Sequence, residues 1–332
     1  MERYDFQIIP LKEISREFPF VSRYSLEDPL LRDSVKQRGV LQPILIVGAP
    51  LAGARGKGRG QAPPLHIISG HKRIVAAEVA GLTEIAVFKI AAPENLADLY
   101  LLSVFSNWKQ GMNDLDRAWA IHRAVRDFKM DEKRVIEDIL PTLGLEPQPH
   151  FFEEYGEVAS LDSSVLEAIN AGKLPFRGAR VLNRFSKPDQ MVFIKCITER
   201  AALTSNQLLK AGEWLFDLLK LKKTSLPVLL KTSGLEAALE AAAQDRRQKG
   251  EKFCAALRTL RFPELARKEK EFESLAGKIE ADQGFSLEAP SFFEGEGLTL
   301  RAKLPNPEAL DKIAAAFSAK RKLFNSLFDV ML

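Results

Sequence analysis

Glycine, histidine, lysine and arginine follow one another at Gly70-His71-Lys72-Arg73, where a short apolar strand turns into an alanine-rich helix, HIISGHKRIVAAEVAGLTEIAVFKI from His66 to Ile90. Such a turn is suited to holding an anion. Free backbone N–H groups and the positive end of the helix dipole converge at a helix start. Gly70 lets the chain approach a phosphate closely, and Lys72 and Arg73 add charge and a planar donor fork. The plain alternative, a tight turn with solvated cations, fits the same four residues. His71 is the candidate catalytic residue. As a base it needs a pKa near the operating pH and a substrate hydroxyl within reach; as a neutral donor it needs only a phosphate oxygen. The second role is favoured, because no neighbouring carboxylate is placed to orient a base. His66 alternates within a strand, His122 lies on a helix, and His150 is read as a loop residue.

The elements that would position this turn are legible upstream. A strand (IIPLKEI), a helix from Pro29 to Arg38, a Gly39 C-cap and a second strand (GVLQPILIV) precede it. Between the second strand and the one entering the turn lies APLAGARGKGRGQAPP, Ala49 to Pro64, read as a long hairpin loop. Its Arg55, Lys57 and Arg59 are candidate DNA contacts, or a solvated insertion. Downstream, Pro93 to Phe105 reads as a helix delivering Ser106 and Asn107, and Asn113 caps a helix through Phe128. A further helix capped by Asp131 is crowded by Pro141 and ends at Gly144. Helix, turn, helix is the arrangement of a DNA-reading unit. The third helix, EPQPHFFEEYGEVASL, nevertheless presents Glu153, Glu154 and Glu157, which phosphate would repel, beside Gln148 and His150.

Bulk properties narrow the class. The 332 residues, 46% hydrophobic, can bury a sizeable core in two or three domains. The 48 basic and 44 acidic side chains leave a net charge of +4, too small to argue a partner, so any nucleic-acid surface would be a local patch. Two cysteines with no Cys-x-x-Cys pattern indicate neither a disulfide scaffold nor a zinc site. No apolar run approaches the ~20 residues of a membrane span, and the N-terminus lacks a signal-peptide core. No membrane role and a cytoplasmic location are therefore expected.

From residue 161 onward helices follow: Ser163 to Asn170, Pro175 to Phe185, Pro188 to Glu199, Ser205 to Lys223 and an alanine-rich stretch from Gly234 to Arg247. Lys173, Arg177, Arg180 and Arg184 form a basic interval, with the three arginines expected on one helix face as DNA contacts or as a solvated face. Gln248-Lys249-Gly250 reads as a hinge. Beyond it a long helix, two alternating strands (FSLEAP and LTLRAKL) and a final amphipathic helix carrying Leu310, Ile313, Phe317, Leu323 and Phe324 make an α-β-β-α unit. With two strands only, it would gain from a second copy and reads as a dimerisation module, or as an internal docking domain.

The run Ile9-Pro10-Leu11, Ser34 through Gly39-Val40-Leu41-Gln42-Pro43-Ile44, Gly70-His71-Lys72-Arg73 with Ala76-Ala77 and Ala80-Gly81-Leu82, and then Asn107, Met112 and Ala118, resembles ParB-type partition proteins. The likeness covers roughly residues 6 to 185. It implies a ParB/sulfiredoxin-like N-terminal domain over residues 1–110 and a helix-turn-helix, here degenerate, in the all-helical middle domain over 111–250; with the small α-β-β-α domain read above over 251–332, the chain is expected to be α+β. It also implies that CTP, or another nucleoside triphosphate, is held by Gly70, His71, Lys72 and Arg73 at the phosphates, by Gln42 and Pro43 at the base and by Asn107. Two departures bear on magnesium. His71 stands where the family usually carries a glutamate, and Ser106 where it carries the glutamate of a Glu-Asn pair, so Mg²⁺ binding is expected to be weakened and hydrolysis slow or absent. Sulfiredoxin chemistry needs a cysteine after Gly70 and is set aside; the kinase branch of the fold carries a Gly-His-x-Arg turn similar to this one. Three readings follow. The first is a nucleotide-gated, DNA-associated switch or clamp with weak CTPase activity at most, homodimeric, and served by a partition ATPase if the family pattern holds. The second is a phosphotransferase or nuclease using the same pocket. The third is an adaptor whose site has decayed.

Overall fold

A computed structural model describes residues 4–48, 64–91, 93, 95–107, 111–240, 245–280, 284–295 and 297–331. The chain is of mixed α+β class, mostly helical with a small sheet, and divides into two compact units, Met1–Glu199 with Thr204–Leu209 and Arg200–Leu203 with Lys210–Leu332.

The first unit begins with β1 (Asp5–Pro10), α1 (Pro29–Arg38), β2 (Ile44–Gly48), β3 (Leu65–Ser69), α2 (His71–Val79) and β4 (Glu84–Ile90). The strands form one sheet in the order β1-β4-β2-β3. β2 and β3 pair as the expected antiparallel hairpin, β1 pairs antiparallel with β4 through Ile9 opposite Ile85, and β2 lies parallel to β4. One sheet face buries Ile9, Ile46, Ile67, Ile85 and Val87 with Val35 of α1 and Ile74 and Ala77 of α2. Helix α1 has the limits its sequence signals set: Asp28 accepts a hydrogen bond from the Leu31 N–H, Pro29 occupies the first turn, and Gly39 closes the end at φ 70°.

The other face, through Val47, Ile68 and Ile90, continues into a helical core with Phe20, Tyr100, Ile121 and Ile139. That core is built from α3 (Leu96–Asn107), α4 (Asp114–Arg126), a π turn (Val135–Ile139) that follows the short α5 (Glu132–Arg134), α6 (Leu140–Thr142) and α7 (Pro149–Ala159); α8 (Ser163–Asn170) and α9 (Lys187–Phe193) follow, and α9 runs on into a second π turn (Ile194–Thr198). Asn113 and Asp131 cap as their sequence positions suggest, accepting from the N–H groups of Asp116 and Arg134. Residues 93–95 lie ahead of α3, so that helix starts later than Pro93.

The remaining helices are α10 (Ser205–Lys222), α11 (Leu226–Thr232), α12 (Leu235–Glu240), α13 (Arg246–Arg261) and α14 (Pro263–Glu280). The strands β5 (Phe285–Glu288) and β6 (Thr299–Ala302) pair antiparallel, followed by α15 (Pro307–Ala319) and α16 (Arg321–Met331). Phe272, Ile279, Leu287, Ile313 and Leu327 share the core of this last group.

Four expectations need correction. The Pro175–Phe185 helix reduces to a 3-10 stretch, Ala179–Arg184, because Gly178 takes φ 89° where a Cβ would lie 2.7 Å from the Ser205 carbonyl oxygen. Arg177 is therefore outside any helix, and Arg177, Arg180 and Arg184 do not share a helical face. The polar run 248–250 is the first turn of α13, held by an Asp245–Gln248 capping box, and Gly250 is small there because its Cα packs onto the Ala202 carbonyl oxygen. The final helix is two, broken at Lys320, whose ammonium donates to the Lys278 and Ile279 carbonyls at the end of α14, each at 2.9 Å; Leu310 and Phe317 are exposed. His150 lies in α7 and not in a loop.

Candidate functional site

Gly70 is the N-cap of α2 at φ 101°, a left-handed conformation that side chains rarely adopt. Around it opens a cavity of about 400 Å³, lined by Ser22, Arg23, Asp28, Gln42, Gly70, His71, Lys72, Arg73 and Asn107, with Val21, Leu26 and Leu31 supplying apolar wall. Six of the seven residues predicted for nucleotide contact line it; the seventh, Pro43, is next to Gln42 and accepts from Arg73 through its carbonyl.

The charges differ in what they are free to do. Arg73 donates from Nη1 to the carbonyls of Gln42 (2.8 Å) and Pro43 (2.7 Å), and burial depresses its pKa. It ties the Gln-Pro turn to α2 and leaves the rest of its donor fork toward the cavity side. Lys72 reaches Asp28 at 3.3 Å, a half-exposed pair worth little by itself. The Leu31 N–H and Lys72 hold the Asp28 carboxyl below its usual range. Asn107 donates to Ser22 Oγ (3.2 Å) and to the Ser103 carbonyl (2.8 Å). Ser106 turns away and donates to the Leu102 carbonyl at 2.7 Å.

His71 is 5% exposed, packs edge-on against Phe18, and has a buried Nε2 without a hydrogen-bond partner. Burial, reinforced by the Arg123 guanidinium, pushes its pKa down to about 3. The imidazole is then neutral at pH 7 and a feeble base. The same shift predicts a pH effect. The folded pKa lies below the unfolded value, so the unfolded chain binds the proton first as pH falls. Stability is complete above pH 6.5 and declines toward pH 3, by about 1.4 kcal/mol per pH unit for this one group. Urea titrations at pH 7.5, 6.0 and 5.0 should show a steeper fall for the native chain than for His71→Gln; parallel curves would refute a neutral buried imidazole.

Sequence reasoning missed Arg23, and with it the wall that carries it. Residues 19–24 form no helix or strand, yet side chains of α3 and α4 satisfy much of their backbone. Ser103 donates to the Phe20 carbonyl (2.7 Å), and Arg123 donates to those of Pro19 (2.8 Å) and Val21 (2.6 Å). Asp116, in the first turn of α4, accepts from Arg23 Nη1 and from the Tyr24 N–H, each at 3.0 Å. Arg23 and Asp116 are both under 10% exposed. The only sequence signal was an arginine before a capped helix.

The DNA candidates Arg55, Lys57 and Arg59 lie outside the described residues. Lys173, Arg177, Arg180 and Arg184 are exposed, and Arg180 pairs with Glu157 at 3.3 Å. Helix α7 turns Tyr155 onto Asp114 (2.9 Å), where burial and that carboxylate push the phenol up to about 12. Glu153 and Glu157 face outward. Among the described residues no helix is long and apolar enough to cross a membrane.

No family model matches the chain. It is similar to the chromosome-partitioning protein ParB of Myxococcus xanthus (strain DK1622), 30% identical over 139 residues, 38% of this chain and 39% of that relative, so it matches about two fifths of the relative's length. Two solved structures of the C-terminally truncated ParB of Caulobacter crescentus are similar at 20% identity. One is complexed to the centromeric parS site (TM-score 0.37; 62% of this chain, 98% of that one) and one to CTP-gamma-S (TM-score 0.25; 57% and 97%).

Proposed function

We propose that this ParB-type chain is a nucleotide-binding, DNA-associated protein, a switch or clamp acting in DNA partition or regulation. The observation that carries the reading is the cavity at the head of α2, where Arg23, Lys72, Arg73 and a left-handed glycine face one space with, among the described residues, a single carboxylate. Such a concentration of donors suits a chain of phosphates. The Gln42-Pro43 turn, held against α2 by Arg73, borders the place for a base. On this reading residues 1–110 are a ParB/sulfiredoxin-like nucleotide domain, 111–250 a helical DNA-associated domain with a degenerate helix-turn-helix, and 251–332 a module through which two copies associate. A partition ATPase belongs to the reading by family likeness alone.

Occupancy would be felt beyond the cavity through residues 19–24, whose polar groups are stitched to α3 and α4. The outward carboxylates of α7 argue for DNA contact through phosphates elsewhere more than for base reading by that helix. The neutral His71 favours the switch over the phosphotransferase or nuclease.

Calorimetric titration of the whole chain with CTP, ATP and GTP tests this. CTP should bind, and Lys72→Ala should weaken it about tenfold by removing a charged contact. His71→Ala separates the classes: binding that largely survives, with no turnover to lose, supports the switch, whereas abolished turnover supports the enzyme. No affinity for any nucleotide would leave the adaptor.

A further inference from the structure

The cavity is a poor place for a divalent cation. Magnesium takes an octahedral shell of hard oxygens, with one or two carboxylates beside the phosphates. Among the described lining residues the single carboxylate is Asp28, and both its oxygens are engaged: Oδ1 accepts from the Leu31 N–H at 3.1 Å and Oδ2 from Lys72 at 3.3 Å. The Ser106 hydroxyl is bonded to its own helix, and Asn107, bound through its amide nitrogen to Ser22 and Ser103, offers a neutral amide oxygen and no carboxylate. Among the described residues no group of three or more His, Cys, Asp or Glu could hold a metal. Magnesium, which the family likeness implies, does not fit this donor set.

What the cavity offers in its place is positive charge. Arg23 is 7% exposed and fixed by Asp116, Arg73 is braced by two carbonyls, and Lys72 lines the cavity while bonded to Asp28, with two further N–H donors on its ammonium. His71, neutral and buried, adds no carboxylate to the lining. We propose that the cavity takes a nucleoside polyphosphate as the free anion, with Arg23, Lys72 and Arg73 standing where a divalent cation would otherwise neutralise the phosphates. This rests on reading the cavity as a nucleotide site. A nucleotide that arrives with magnesium has already lost the charge these side chains are placed to meet, so the metal competes with the protein instead of completing it.

Calorimetry on the full chain with CTP, ATP and GTP, each in EDTA and in excess magnesium, decides the matter, with thermal shift in the same buffers as a second readout. The expected result is affinity in EDTA equal to or tighter than in magnesium, and a loss of about tenfold in EDTA for Lys72→Gln, whose far-UV dichroism should match the native chain. Binding that needs magnesium, or that weakens tenfold without it, overturns metal-free binding and leaves the nucleotide reading standing. Unchanged EDTA affinity in Lys72→Gln overturns the assignment of the cations. Silence from all three nucleotides in both buffers sinks the nucleotide reading and this inference together.

Discussion

Replacing Asp116 by alanine should cost the first unit about 3–5 kcal/mol, the range for stripping the partner from a buried charge. Arg23 and Asp116 meet at 3.0 Å with each side chain under 10% exposed, so the substitution takes from the guanidinium the carboxylate that faces it. The Tyr24 N–H would lose its acceptor as well. Against a domain stability of about 5–15 kcal/mol, a loss of this size is a large share of the whole. Because the chain has two units, a single unfolding midpoint is ill-defined, and hydrogen exchange over residues 19–24 and 114–126 is the proper measurement. Arg23→Met in the same background should recover part of the loss, since an apolar replacement of both partners removes the stranded charge. A loss below about 1 kcal/mol, or a double variant no better than the single one, would mean that the pair is solvated in solution.

That pair also marks how far the sequence could be read. Local signals were sufficient where an element announced its ends, as in α1 with Pro29 and Gly39, or in the caps Asn113 and Asp131. The turn at Gly70 was legible because glycine conformation and helix-start chemistry are local properties. Arg23 was not, for its partner lies 93 residues away and residues 19–24 have no periodicity to declare them. The role of Arg73 was half legible. Its charge suggested a phosphate ligand, while its bonds to the Gln42 and Pro43 carbonyls, some thirty residues away in sequence, exist only once β2 and α2 are adjacent. Misreadings at 175–178 and 248–250 run in opposite directions, a helix expected where Gly178 interrupts one and a hinge expected where Gly250 sits inside one, and in both the glycine is required by another backbone passing close by, which local composition does not declare.

Gly70→Ala should be comparably damaging, for a reason confined to a few atoms. A Cβ at this position would lie 2.6 Å from Ile44 Cγ2 and 3.0 Å from Ile44 Cβ, at φ 101°. Ile44 opens β2 and is fully buried, so it has no room to retreat. The left-handed backbone contributes about 1–3 kcal/mol of strain and the overpacking about 1–3 kcal/mol more. Any relief moves the start of β2 or Arg73, whose Cζ lies 3.4 Å from the same Cβ, and either shift widens the Gln42-Pro43 side of the cavity. Nucleotide affinity should therefore fall more than tenfold even in molecules that remain folded. Gly39→Ala is the control: at φ 70° with nothing within 4 Å it carries backbone strain alone, about 1–2 kcal/mol. Exchange protection of β2 and α2 in the two variants separates strain from collision. If Ile44 is the obstacle, Ile44→Ala should cost less in the Gly70→Ala background than in the native chain, a coupling that double-mutant analysis reads directly. Equal costs for the two glycines, or additive behaviour of Gly70 and Ile44, would show that the close approach of β2 to the phosphate turn is not what requires a glycine there.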